Sequence, residues 1–271
     1  KPPSISVSWS MRGIDGYLLE RSHQLNIPSI AIPHGTIAPA FNKSDKIYKN
    51  IIAEAVFSGA CTNVALQSKI TKDALKTQPV IGNPILTGNL IFEETSQKKA
   101  KQILYAVTLK DFIGMQFFGV EMYYEFMENL SSLVKLQEST GLTVKVKLHP
   151  SVRKSRDKLQ ILFPMLSFTT KNLSTCLENS LLTISYSSTV IEDSLYSGVP
   201  VILFDQWNRY QHCHAETNPS EKNKALYYVT EMDGLITSIE TVTTSQNIDF
   251  SEYTDPGVSS TNFESLIEDF L

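Results

Sequence analysis

Thr143-Val144-Lys145-Val146-Lys147-Leu148-His149-Pro150 alternates apolar residues with lysines and then stops at a histidine and a proline. A period of two puts Val144, Val146 and Leu148 on one face and Lys145, Lys147 and His149 on the other, which is the pattern of a β-strand with one face in a core. Pro150 has no N–H to give to a ladder, so it stops the strand and fixes the exit turn. His149 is thereby placed at the carboxyl end of a strand, where its imidazole can donate to a phosphate. Lys147 shares its face, so that face is either wet or close to an anion. Arg153, Lys154 and Arg156 follow and add positive charge; a short basic loop is more often a solvated surface, and they carry little weight here.

Working outward from this strand, the same alternation of short apolar runs and helical stretches recurs. Residues 103–108 read as a strand, 122–138 as a long amphipathic helix, and 166–169, 181–185, 201–204 and 226–229 as further strands. Towards the N-terminus, 4–8, 17–25 and 29–32 read as strand, helix and strand. Helices at 46–57 and 68–75, with strands at 63–66 and 79–81, continue the series. Right-handed crossovers set such strands parallel in one sheet, with their carboxyl ends on a common edge. The expected class is α/β: two Rossmann-like, doubly wound parallel-sheet lobes. Residues 87–97 are polar and lack a period, which makes them the linker candidate. The expected division is an N-terminal lobe over 1–93, a C-terminal lobe over 94–240, and a tail with an amphipathic helix over 241–271. The chain opens at Lys1 directly on strand-like sequence, and the N-terminal lobe is therefore expected to be incomplete.

Composition narrows the function. The 271 residues carry a formal net charge of −4, with no basic excess to neutralise a polynucleotide backbone, so nucleic acid is not an expected partner. Three cysteines, Cys61, Cys176 and Cys213, are odd in number and widely spaced, which argues against a disulfide framework and for a reducing, cytoplasmic setting. No apolar run approaches the roughly 20 residues of a membrane-spanning helix. Adjacent residues point apart in extended backbone, so His212-Cys213-His214 reads as a loop rather than a zinc site.

A second constellation follows the strand at 181–185. Ser187-Ser188-Thr189 precedes a helix expected over 190–196, so three hydroxyls gather where free N–H groups and the positive end of a helix dipole attract anions. One capping residue would satisfy the helix; three exceed that need. Glu192 and Asp193 lie one turn in. The dipole accounts for one acid, and the other is free to accept hydroxyls of a ribose.

Together, Ser187-Ser188-Thr189, Glu192-Asp193 and Gly198-Val199-Pro200 resemble the donor-site segment of GT-B glycosyltransferases and of UDP-N-acetylglucosamine 2-epimerase. Gly82-Asn83-Pro84 resembles the strand-end motif that precedes the second lobe in several of these enzymes. His149-Pro150 followed by the serine cluster is similar to the paired motifs of bacterial sialyltransferases, polysialyltransferases and capsular Kdo transferases, which use CMP-activated sugars. His34-Gly35-Thr36 is similar to the His-Gly-Thr motif of CDP-glycerol glycerophosphotransferases, where the histidine faces the interlobe cleft. The sequence departs from these families in two places. Hydroxyl residues replace the epimerase's paired glycines, and Asp15-Gly16 matches the acidic base motif of sialyltransferases only in part.

The resemblance implies a glycosyltransferase of surface polysaccharide assembly. Its nucleotide-sugar donor is a substrate, with no separate cofactor, and its acceptor is a saccharide or a lipid-linked saccharide. His149, Pro150, Lys147, Ser187, Ser188 and Thr189 are expected at the donor phosphate, Glu192 or Asp193 at the ribose, and His34 or Asp15 at the acceptor as catalytic candidates. No Asp-x-Asp motif is present, and no metal is expected. Peripheral association with the inner face of the cytoplasmic membrane is left open. A nucleotide-sugar epimerase, a glycerophosphotransferase and a noncatalytic nucleotide-sugar-binding module are the competing readings.

Overall fold

The structure, a computed structural model, describes residues 3–9, 13–32, 46–47, 50, 61–76, 82–88, 102–106, 119–208, 212–254 and 260–268. The chain separates into two compact units. One comprises Lys1–Phe92 with Ser251–Leu271, and the other Glu93–Phe250.

In the first unit, β1 (Ser6–Ser8), β2 (Ser29–Ala31), β3 (Asn63–Leu66) and β4 (Asn83–Leu86) form a parallel sheet in sequential order. Helix α1 (Gly13–Gln24) and helix α2 (Lys69–Leu75) bury Leu19 and Leu75 with Ala31, Val64 and Leu66. Ser68 caps α2 by accepting from the Thr71 N–H at 3.1 Å, a bond suited to the first turn. On strands β2 and β3 the alternate residues Ile30 and Ala65 pack with Leu266, from a helix near the C-terminus described below.

The expected strand at 79–81 falls outside the described residues, and the strand found is β4. Gly82-Asn83-Pro84 therefore begins a strand instead of ending one. β4 is the last strand in the sheet order, where a missing proline N–H breaks no internal ladder. Gly82 has φ +100°, and a Cβ there would lie 2.9 Å from the Cys61 carbonyl oxygen. Both the backbone conformation and the space require glycine.

The second unit has β5 (Gln102–Ala106), β6 (Thr143–Lys147), β7 (Ser167–Thr169), β8 (Ser180–Ser185), β9 (Val201–Phe204) and β10 (Leu226–Val229), all parallel. Their order is β10-β9-β8-β5-β6-β7. Renumbered within the unit, this is the 3-2-1-4-5-6 order of a Rossmann sheet.

Helix α3 (Gly119–Thr140) presents Met122, Phe126, Leu130, Leu133 and Leu136 at spacings of three and four to one face of this sheet. Gly141, at φ +67°, ends it with its N–H on the Gln137 carbonyl at 2.9 Å. A 3-10 turn (Pro150–Ser155) and α4 (Arg156–Leu162) follow β6, and α4 adds Leu159 to the same core. The opposite face carries Leu104, Ala106, Cys176 and Leu177, the last two from α5 (Leu173–Leu177). Helix α6 (Val190–Tyr196) joins it there, with Ser194 Oγ 3.0 Å from Thr183 Oγ1.

Helix α7 (Met232–Thr244) returns to the α3 face through Leu235, Ile239 and Val242. Helix α8 (Ser260–Glu268) supplies the Leu266 that packs in the first unit. The Thr-rich segment that opens the expected tail is thus the last turn of α7, and the tail helix groups with residues 1–92. All three cysteines are free and buried. No helix among the described residues is long and apolar enough to cross a membrane.

Candidate functional site

β6 and β7 run out from β5 on one side, and β8, β9 and β10 on the other, so the strand order reverses between β5 and β8. In an open parallel sheet the connections leave such a point in opposite directions, and a crevice opens beyond the carboxyl ends of the strands. β5, β6 and β8 are neighbours here, which brings the ends carrying His149 and the segment 186–189 to one edge, one strand apart.

The alternation expected of β6 is present. Val144, Val146 and Leu148 are buried in the α3 face, while Lys145 and Lys147 pair in register with Leu104 and Ala106, residues of the α6 face. Their charge reaches the same face. Burial pushes the Cys176 thiol of α5 upward, and Lys147, Lys145 and Lys171 pull it back, as cations on the same face would. Leu148 continues the ladder to the Thr169 carbonyl at 3.0 Å, and the His149 carbonyl accepts from Val152 at 3.0 Å to start the 3-10 turn. Pro150 opens that turn, where its lack of an N–H costs nothing. The half-exposed His149 is therefore fixed through its backbone on both sides.

At the end of β8, Ser185 is fully buried, and its hydroxyl has no hydrogen-bond partner among the described residues. Ser187 and Ser188 are half-buried and Thr189 exposed. Ser188 Oγ accepts from the Val190 N–H at 3.3 Å, and the Ile191 N–H bonds the Ser188 carbonyl. Thr189 precedes the first helical residue and makes no capping bond with its side chain. Capping thus occupies one hydroxyl of the three.

The two acids differ. Asp193 is half-exposed, whereas Glu192 is 6% exposed and is held by His212, with Nε2 3.0 Å from Glu192 Oε1. His212 is 5% exposed. His212 lies in the β9–β10 connection, a loop as expected, and pairs with α6 20 positions back along the chain. An acid one turn into a helix and a histidine beyond the next strand were the available signals; no spacing rule links them.

The same connection begins with polar ties to α3. Gln206 donates to Asn129 Oδ1 at 2.8 Å and accepts from Ser132 Oγ at 2.9 Å, and Trp207 donates to Glu128 Oε2 at 2.6 Å. Tyr228 Oη lies 3.1 Å from Asp205 Oδ2 and 3.0 Å from Asn208 Oδ1. Burial, the Asp205 charge and that hydrogen bond hold the Tyr228 phenol un-ionised up to about 12. Beneath the switch point, burial first, then Tyr186 and Glu125, push the Tyr105 phenol upward.

The other predicted residues lie in the first unit. Asp15 is half-exposed in the first turn of α1, on the connection leaving the carboxyl end of β1, where an acid also suits the helix dipole. His34, two residues beyond the described end of the β2 segment, lies outside the described residues. No group of three or more His, Cys, Asp or Glu side chains that could hold a metal ion occurs among the described residues.

These sheets, one of them in Rossmann order, define an α/β protein with a GT-B-like fold. No protein-family model and no curated protein sequence matches the chain. Solved structures do. The chain is similar to Staphylococcus aureus MnaA in its co-structure with UDP, at 13% identity and a TM-score of 0.59, over 97% of this chain and 72% of that one. It is similar to the Methanocaldococcus jannaschii UDP-GlcNAc 2-epimerase in complex with UDP-GlcNAc and UDP, at 12% identity and a TM-score of 0.57, over 98% and 75%. The wall teichoic acid polymerase TagF, soaked with CDPG, matches at 14% identity and a TM-score of 0.57, over 98% and 71%.

Proposed function

We propose that the chain is a glycosyltransferase that moves a sugar from a CMP- or UDP-linked donor to a saccharide or lipid-linked acceptor in surface polysaccharide biosynthesis. The observation that supports it most directly is the meeting of His149-Pro150 and Ser187-Ser188-Thr189 on one edge of the second sheet, on strands either side of β5. In the transfer, an acceptor oxygen loses its proton and bonds the anomeric carbon. The sugar–phosphate C–O bond breaks, and its electron pair leaves with the nucleotide. Lys147 supplies positive charge and His149 a donor to that leaving phosphate, and the hydroxyls of Ser187 and Thr189 add uncharged donors. Asp193, the reachable acid of the pair, is the ribose acceptor in this reading, and Asp15 or His34 takes the acceptor proton. The chain's own cations and dipoles stabilise the leaving group, without a metal.

Thermal-shift titration with CMP, CDP, UDP and GDP tests the donor site, because a ligand that binds only the folded state raises the midpoint as its concentration exceeds Kd. Stabilisation by a pyrimidine nucleotide that is lost in His149→Ala is expected. No shift with any nucleotide would overturn the site. A nucleotide-sugar 2-epimerase is the second reading, favoured by the MnaA and M. jannaschii likenesses. Incubation with UDP-GlcNAc and no acceptor separates the two, since only an epimerase converts the sugar at C2.

A further inference from the structure

The connection between β9 and β10 is bonded to both faces of the second sheet. Gln206 and Trp207 bond α3, which packs on one face. His212 bonds Glu192 of α6, which packs on the other through Ser194 and Thr183. Gln206 and Trp207 at the start of the connection and His212 further along it are therefore tied to opposite faces of the sheet. The tie to α6 is a contact between two side chains that are each more than nine-tenths buried.

That contact is poorly built for stability alone. Glu192 Oε2 and His212 Nδ1 are buried and have no hydrogen-bond partner among the described residues, so half the polar capacity of each group is unserved. Unsatisfied buried polar atoms are costly, and an apolar pair of similar volume is often as stable as a buried ionisable pair or more so. What the polar pair provides is a directional tie: it fixes where α6 and its preceding hydroxyl loop sit against the end of the β9–β10 connection.

We infer that His212 is a positioning residue for the nucleotide site, acting through Glu192 to hold the first turn of α6, with Asp193 and the segment 187–189, in the geometry that receives the donor. This rests on the reading of that edge as a nucleotide site. It assigns Glu192 to the tie and leaves ribose contact to Asp193. His212 itself touches no substrate.

The test compares wild type, His212→Gln, His212→Leu and the double variant Glu192→Met/His212→Leu, measuring UDP and CMP affinity by calorimetry and the midpoint of thermal unfolding. The inference expects the double variant, with its apolar pair, to unfold within a few degrees of wild type and yet to bind the preferred nucleotide at least tenfold more weakly. His212→Gln, which keeps a donor nitrogen near Glu192, should recover most of that loss. If the double variant binds as wild type does, or if affinity merely follows the midpoint across the series, the pair is structural and the inference fails while the nucleotide site stands. If wild type binds neither nucleotide, the site reading fails and takes the inference with it.

Discussion

The two sheets are made of the same parallel strand-and-helix units, but they differ in order. β1-β2-β3-β4 proceeds in one direction, with no reversal among the described strands, whereas the second sheet turns back between β5 and β8. Reversal matters because it parts the connections at the carboxyl edge and leaves room there. The second unit uses that room for polar groups: His149, the 186–189 hydroxyls, Glu192 with His212, and Asp205 with Tyr228. Among the described residues of the first unit, Val7 in β1, Trp9 just after it, and Ile14 and Tyr17 on α1 are exposed. Strand content alone does not open a crevice; the order of strands does.

This contrast can be broken at several points. The largest effect is expected from Leu133→Ala, which removes a fully buried side chain from the α3 face. It should cost about 2–5 kcal/mol in urea denaturation, with faster amide exchange concentrated in residues 119–250; faster exchange centred instead on residues 3–88 would contradict the separateness of the two cores. Next is Gly82→Ala in the first unit. Its positive φ and the 2.9 Å approach to the Cys61 carbonyl predict a loss of about 1–3 kcal/mol, and an unchanged denaturation midpoint would show that the turn relaxes. His149→Ala should weaken nucleotide binding about tenfold, or ~1.4 kcal/mol, while Asp15→Asn leaves nucleotide Kd within twofold; equal losses would mean that both units contact the nucleotide.

Ser188→Ala removes the hydroxyl that accepts from Val190 and should cost about 0.5–1 kcal/mol of stability. Ser187→Ala, with no such bond, should leave stability unchanged and act on nucleotide affinity alone. The smallest effect is at alkaline pH. The Tyr228 phenol is raised to about 12, so the unfolded chain loses this proton first, near the ordinary tyrosine value of about 10. Stability should therefore fall as pH rises from about 10 towards 12, and Tyr228→Phe should flatten that part of the curve.

Much of the second unit was legible in the sequence, because its strands obey local rules. The alternation of Val144, Val146 and Leu148 with lysines decides which face is buried before any partner strand is known, and the hydroxyl cluster marks the turn into α6. The first unit was read less well. Gly82-Asn83-Pro84 resembles a strand-end motif, yet Asn83 and Pro84 open β4, because an edge strand tolerates a proline. α1 begins at Gly13, about a turn before the stretch expected from its apolar residues, three of which, Tyr17, Leu18 and Leu25, are exposed. The Glu192–His212 pair was invisible because it joins two connections that only the sheet order brings together, and a buried acid on a helix reads in sequence like a solvated one.

Leu266 of α8 completes one face of a sheet whose strands lie within the first 86 residues, so the second unit is spelled out in full between two parts of the first. On the ribosome, residues 93–250 emerge with every strand of their sheet before Leu266 exists. The six-stranded unit can therefore fold during synthesis, whereas Ile30 and Ala65 lack the Leu266 side chain until residues 260–268 have been made. A chain interrupted near residue 250 would hold all six strands of the second sheet while Ile30 and Ala65 lack Leu266, a state exposed to chaperones and to aggregation.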